Sequence, residues 1–188
     1  VGSEMCIRDS PSTVNETNFF GEIIGGKAVE IDYTDLTFNN DAVLAGENLT
    51  AQGTAAGHLV NPGTQFEDWQ DGYWLKAVSA GLESVLTANK DASILSNGGY
   101  YNTALHVWGK SQAEFNGKTS ITVQNGVDTA RAVYVYDDYD GTTRAEFNDD
   151  LTISTAGSNA TYLYGIDVRA GGKVDVTKGL IMNDNNNI

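Results

Sequence analysis

The chain has 188 residues, a formal net charge of −14, 21 glycines, two prolines and a single cysteine. That acidity repels phosphate backbones and anionic headgroups, which makes nucleic acid and membrane surfaces poor partners, and no nucleic acid is expected to bind. No apolar run approaches the roughly 20 residues of a membrane-spanning helix, and the Gly, Asn, Asp, Thr and Ser content punctuates short strands instead of supporting long helices.

In chain order, residues 1–10 stand apart. Val1 to Asp9 resemble, in one reading frame, the translation of a transposase adapter used to prepare sequencing libraries, and Ser10 completes the match. On that reading the segment is non-native and has no repeat equivalent, and any signal peptide of the natural protein lies upstream of it. Cys6 then belongs to the adapter, and no disulfide or thiolate chemistry remains. Residues 11–73 read as an irregular β-rich segment. Within it Val29 to Tyr33 and Leu36 to Phe38 alternate like strands, predicting one or two irregular coils over 28–52. A longer loop follows over 53–72. Leu75, Val78, Leu82 and Leu86 fit helical spacing, but Gly81 inside the run and alignment with later copies favour strands over 74–89.

The later copies are the clearest signal. Ala113-Glu114-Phe115-Asn116 returns as Ala145-Glu146-Phe147-Asn148, with looser versions at Leu86 to Asn89 and Val174 to Thr177. The anchors Ala88, Phe115, Phe147 and Val176 lie 27, 32 and 29 residues apart, a period that marks stacked repeats. Each copy divides into three alternating pieces. Leu105 and Val107 match Val133 and Val135, then Ile166 and Val168. Ala113 and Phe115 match Ala145 and Phe147, then Val174 and Val176. Thr119 and Ile121 match Leu151 and Ile153, then Leu180 and Met182. Residues i and i+2 share a strand face, so these sets can all point inward. The predicted fold is all-β: a parallel β-helix over 74–183, each coil advancing by about 4.8 Å. Residues 184–188 make a polar tail that cannot cover Ile166, Val168, Val176 and Leu180, so end-to-end self-association is expected.

Leu163-Tyr164-Gly165-Ile166-Asp167-Val168, Gly171-Gly172-Lys173-Val174-Asp175-Val176 and Ala132 to Tyr136 give the chain the style of a known family. Over roughly 74–183 it resembles the passenger regions of bacterial autotransporters. The resemblance implies a right-handed β-helix, a cell-surface or secreted location and a C-terminal translocator barrel in the full-length protein. It also implies an adhesive or stalk role with a glycan or host-matrix protein as partner. No cofactor is expected, because the stacked apolar core can drive folding without one. The alternative is a polysaccharide-active β-helix, a lyase or hydrolase, whose catalytic coils are missing or unrecognised.

No residue pattern assigns a catalytic group. Asp137, Asp138 and Asp140 precede Gly141, but an EF-hand ending there needs an acid where Tyr136 stands and a Glu where Phe147 stands. The cluster reads as a solvated corner, with adventitious Ca²⁺ binding as the remaining reading. His106, Tyr134 and Asp167 are predicted to form one outward column, and Trp108, Tyr136 and Arg169 a second. Trp108, Tyr134, Tyr136 and Arg169 are thus the candidate ligand-binding residues, an aromatic platform for a glycan or peptide. Aromatic pairing across exposed strands would produce the same pattern with no ligand. Only Asp167 and Arg169 are expected to place charge on a strand face, with no second acid aligned in a neighbouring coil. His58 and His106 show no catalytic or metal spacing. Sequons at Asn15, Asn48 and Asn159 suit chance in a chain rich in Asn and Thr.

Overall fold

A computed structural model describes residues 5–8, 12–14, 18–22, 28–48, 74–126, 128–137, 140–155, 158 and 160–183, with side chains from residue 28 to 46 and from 75 onward in those ranges. The strands come in threes. They are β1 Met5–Arg8, β2 Ser12–Val14 and β3 Asn18–Glu22, then β4 Val29–Asp32, β5 Asp35–Phe38 and β6 Ala42–Asn48. Next are β7 Trp74–Gly81, β8 Val85–Ala88 and β9 Ala92–Gly98, then β10 Tyr101–Trp108, β11 Gln112–Phe115 and β12 Thr119–Gln124. After them come β13 Thr129–Tyr136, β14 Arg144–Phe147 and β15 Leu151–Ser154, and last β16 Tyr162–Arg169, β17 Lys173–Val176 and β18 Leu180–Asn183.

First strands pair only with first strands, second with second and third with third, giving three six-stranded, all-parallel sheets. This is the predicted parallel β-solenoid, and its register is the one the repeats dictate. Leu105 pairs with Val133 and Val133 with Ile166; Phe115 with Phe147 and Phe147 with Val176; Ile121 with Ile153 and Ile153 with Met182. Residues 74–89 are two strands and a corner, not a helix.

Two boundaries differ from the sequence reading. Residues 28–48 form a regular rung, because Val29/Ile31, Leu36/Phe38 and Ala42/Leu44 alternate as the later rungs do and pair with β7, β8 and β9. Met5–Arg8, read as lacking a repeat equivalent, is a strand in parallel register with β4. Met5 and Ile7 take the register positions of Val29 and Ile31, so the local apolar alternation suits a rung whatever its origin. The loop predicted over 53–72, with His58, lies outside the described residues, as do the tail 184–188, Asn15 and Asn159.

The core is a set of columns running along the solenoid axis. Phe38, Phe115 and Phe147 are fully buried in one of them, and the Phe115 and Phe147 rings stack at 5.1 Å and 10°. Where that column carries Ala88, the neighbouring inward position carries Leu86. Where it carries Phe115 or Phe147 the neighbour is Ala113 or Ala145, so volume is held nearly constant over these three rungs, whereas Phe38 is accompanied by Leu36 in a bulkier rung. Leu180 and Met182 occupy inward columns yet are 45% and 55% exposed, because among the described residues no rung stacks on β16, β17 and β18.

Corners are polar columns. Where the chain leaves its first strand it turns through left-handed residues, the non-glycines Tyr33, Leu82, Glu83, Lys110 and Ala170 together with Gly109 and Gly171. Buried hydroxyls line that corner. Thr34 N donates to Ser84 Oγ at 3.1 Å, Ser84 N to Ser111 Oγ at 3.0 Å, and Lys110 N to Thr143 Oγ1 at 2.8 Å. At the next corner four asparagines form a ladder. Asn89 Nδ2 donates to Asn39 Oδ1 at 2.8 Å, Asn116 Nδ2 to Asn89 Oδ1 at 3.3 Å, and Asn148 Nδ2 to Asn116 Oδ1 at 2.8 Å. Thr177 Oγ1 continues it toward Asn148 Oδ1 at 3.5 Å.

Phe147→Ala should cost about 3–5 kcal/mol in chemical denaturation, because a fixed rung spacing prevents the walls from closing on the void. Ser120→Ala, on an exposed outward position, should stay within about 0.5 kcal/mol. Gly117→Ala should cost about 1–3 kcal/mol, since a Cβ there would collide with the backbone carbonyl of Lys90. Equal losses for Phe147→Ala and Ser120→Ala would refute the inward and outward assignment.

Candidate functional site

The outer face of the sheet that holds β7, β10, β13 and β16 is built by alternation. Register places Ser79, His106, Tyr134 and Asp167 in one column, and Trp108, Tyr136 and Arg169 in a second. A third column, Lys76, Thr103, Arg131 and Tyr164, lies on the other side of the first. Both Ala104 and Leu105 are fully buried, as are Ala132 and Val133, so the strands bend between the third column and the first. That bend brings Arg131 over Tyr134.

The two predicted columns are therefore present, and their contacts are specific. His106 stacks on Tyr134 at 5.1 Å and 15°, and on Trp108 at 6.1 Å and 12°. Tyr134 and Tyr136 lie 6.5 Å apart at 47°. The indole of Trp108 lies across Gly81, where a Cβ would strike it and approach Asp32 Oδ1. His106 points outward but is only 6% exposed, covered by the rings on either side. Trp108, Tyr134 and Tyr136 are half-buried and Arg169 is exposed, so the accessible platform is these four residues, with His106 beneath.

One member escaped the sequence reading. Arg131 Nε donates to Asp167 Oδ2 at 2.8 Å, with its guanidinium 4.7 Å from the Tyr134 ring centre and 5.6 Å from that of Tyr164. Arg169 approaches the same carboxylate from the other side, Nε to Oδ1 at 3.0 Å and Nη2 to Oδ2 at 3.0 Å, and sits 5.8 Å from the Tyr134 ring. Asp167 thus bridges two arginines that clasp Tyr134, leaving a local excess of one positive charge on an acidic molecule. Burial pushes the Asp167 carboxyl up, and the bonds and charges of Arg169 and Arg131 outweigh it, so the group ionises below the usual carboxylate range. Burial likewise raises the Tyr134 phenol, against the opposing pull of Arg169 and Arg131.

The expectation that no second acid aligns on a strand face is corrected on the sheet of second strands. Glu114, Glu146 and Asp175 form one outward column there, beside Gln112, Arg144 and Lys173. The signal was in the repeat itself, because the Glu of each Ala-Glu-Phe lies between two inward residues. Arg144 Nε pairs with Glu146 Oε1 at 2.8 Å, and its Nη2 donates to Gln112 Oε1 at 3.0 Å.

The Asp137–Gly141 corner is occupied by its own hydrogen bonds. Asp137 is fully buried and accepts from Thr143 Oγ1 at 3.0 Å and from the Gly141 N–H. Asp140 accepts from Thr142 N at 3.0 Å and Oγ1 at 2.6 Å, with Lys110 Nζ at 3.5 Å. Asp138 lies outside the described residues. The Asp137 carboxylate is thus engaged by the corner's own donors and lies within hydrogen-bond reach of Asp140. Among the described residues no group of three or more His, Cys, Asp or Glu side chains could hold a metal ion. An open groove of about 450 Å³ crosses the third sheet beside Asp41, Asp91, Lys118 and Asp150. Two of those acids serve the turns: Asp91 accepts from Lys118 N at 2.9 Å and Asp150 from Gly179 N at 3.0 Å.

Fold and surface together define a parallel β-solenoid with a different side-chain chemistry on each outer face. No protein-family model, curated protein or solved structure matches the chain.

Asp167→Asn should lower stability near neutral pH by about 1.5–3 kcal/mol, since it removes charge-assisted bonds to two arginines. A depressed carboxyl contributes stability that is present above its unfolded value near 3.9 and lost as pH falls through the lower folded value. The difference between parent and variant should therefore shrink below about pH 4, measured by denaturation midpoints across pH. A constant difference down to full acid unfolding would show that Asp167 is not ionised in the fold.

Proposed function

We propose that this chain is a non-enzymatic β-solenoid segment of a bacterial cell-surface or secreted protein of the autotransporter-passenger type, and that its aromatic and arginine face binds glycan. The observation that carries this reading is the set Trp108, Tyr134, Tyr136 and Arg169 on one rigid face. Three half-buried rings offer flat apolar surface, and a half-exposed guanidinium stands at the end of the Tyr136 column. Sugars bind such surfaces through C–H faces laid on aromatic rings, with hydroxyls or acidic groups turned to a fixed polar partner. Stacking already locks the rings through His106 and Arg131, so little side-chain freedom is lost on binding. The same rigidity suits a stalk.

One observation favours a second reading, a polysaccharide-active β-solenoid. Glu114, Glu146 and Asp175 stand in neighbouring rungs beside Arg144 and Lys173, and carboxylates near a basic group are the parts that acid–base cleavage of a sugar chain requires.

Retention of the chain on an immobilised glycan panel separates these readings. Binding without change to the sugar, weakened about tenfold by Tyr136→Ala through loss of roughly 1–1.5 kcal/mol of ring contact, is the result expected here. Release of unsaturated sugar absorbing in the ultraviolet, abolished by Glu146→Gln, would support the second reading instead. A chain that retains no glycan on any panel, or a Tyr136→Ala variant that binds as the parent does, would remove the aromatic face from consideration.

A further inference from the structure

We infer that Asn116-Gly117 is a covalent modification site, a succinimide-forming pair that the asparagine ladder holds unreacted while the rungs are closed. The chemistry is intramolecular. The Gly117 backbone nitrogen gives up its proton to hydroxide and attacks Asn116 Cγ. An N–Cγ bond forms, the Cγ–Nδ2 bond breaks, and Nδ2 leaves as ammonia after taking a proton from water. Water then adds to either carbonyl of the five-membered imide and opens it to aspartate or isoaspartate, so one water is consumed for each ammonia released. A glycine after the asparagine favours the attack because no side chain shields the nitrogen and the backbone reaches the ring geometry easily.

Geometry explains why this reactive pair is present. A Cβ at residue 117 would collide with the Lys90 backbone carbonyl and press on the Asp91 nitrogen, so close packing of the two rungs demands glycine. The preceding position is a ladder position, taken by Asn39, Asn89 and Asn148 in other rungs. Ladder and packing together impose Asn-Gly at this corner.

The ladder also restrains the reaction. Asn116 Nδ2 donates to Asn89 Oδ1 at 3.3 Å, and Asn116 Oδ1 accepts from Asn148 Nδ2 at 2.8 Å. Swinging Cγ over the Gly117 nitrogen breaks both bonds. Once converted, residue 116 has no N–H for Asn89 Oδ1 and sets a carboxylate oxygen against that carbonyl oxygen. The isoaspartate form also adds a methylene to the main chain between Phe115 and Thr119, shifting two strands whose inward registers are fixed by their neighbours. A corner that has opened and reacted cannot reclose the ladder, so the modification records opening of this rung.

Two further Asn-Gly pairs serve as internal clocks. Asn97-Gly98 and Asn125-Gly126 lie at another corner, joined by a separate bond from Asn125 Nδ2 to Asn97 Oδ1 at 2.7 Å. The purified chain is incubated at mildly alkaline pH, folded and in denaturant, and conversion at all three sites is followed by peptide mapping with mass spectrometry. Asn116 should stay intact in the folded chain over a period that converts it in denaturant. Asn148→Ala or Asn89→Ala, each removing one ladder partner, should speed conversion of Asn116 in the folded chain about tenfold, the factor that one lost hydrogen bond represents. Asn97 and Asn125 should keep their parent rates in both variants. Conversion of Asn116 in the folded parent at the denatured rate, no change at Asn116 in either variant, or all three sites moving in step would each overturn the inference.

Discussion

Everything in this structure depends on parallel strands stacking in one register, so that each residue meets its own counterpart about 4.8 Å away. The backbone ladder enforces this in three directions around the core at once. A slip of one residue in any sheet would reverse every side chain of that strand, placing Phe147 in solvent and Glu146 in the core. Burial supplies the drive: among the described residues thirty hydrophobic side chains are buried, most of them completely, which leaves the sheets no second register of similar energy.

The same stacking solves a problem that a narrow core creates at its corners. A tight turn buries backbone groups and small polar side chains that lone rungs could not satisfy. In the hydroxyl and asparagine columns the partner lies in a neighbouring rung. Ser84 receives the Thr34 amide and Ser111 the Ser84 amide, and each ladder asparagine donates to the one before it. These bonds are collective in a strict sense, because removing one residue strands a donor on one side and an acceptor on the other. Asn102 closes the third corner in a similar way, taking the Ser96 hydroxyl and donating to the Gln124 carbonyl at 2.8 Å.

Outward positions carry none of these constraints, and the three faces have diverged. The first-strand sheet carries aromatic rings clasped by Arg131, Asp167 and Arg169. The second carries a carboxylate column beside basic and amide groups, and the third carries small hydroxyls such as Ser93, Ser120 and Thr152. A rigid inner scaffold holds each of these arrays at fixed spacing, which a loop-borne site would not do. The first face is where charge and ring are locked together, and it is the face to which the proposed glycan binding is assigned.

Inward alternation was legible from the sequence alone. It set the fold class, the three strands per coil and the pairing of Leu105 with Val133 or Phe115 with Phe147, because burial has period two and the repeats share it. The two outward columns were legible for the same reason. The asparagine ladder was within reach too, since an Asn follows Phe38, Ala88, Phe115 and Phe147, but its meaning lies in the partner one rung away. What only the tertiary structure decided depends on bends and insertions. The strand bend at Ala132 and Val133 turns Arg131 onto Tyr134 and Asp167, although period two alone separates Arg131 from that column. Asn39 and Asn89 are 50 residues apart yet adjacent in space, because β5 and β8 pair directly in register. Local pattern fixes which way a side chain points; only the closed solenoid determines what it meets.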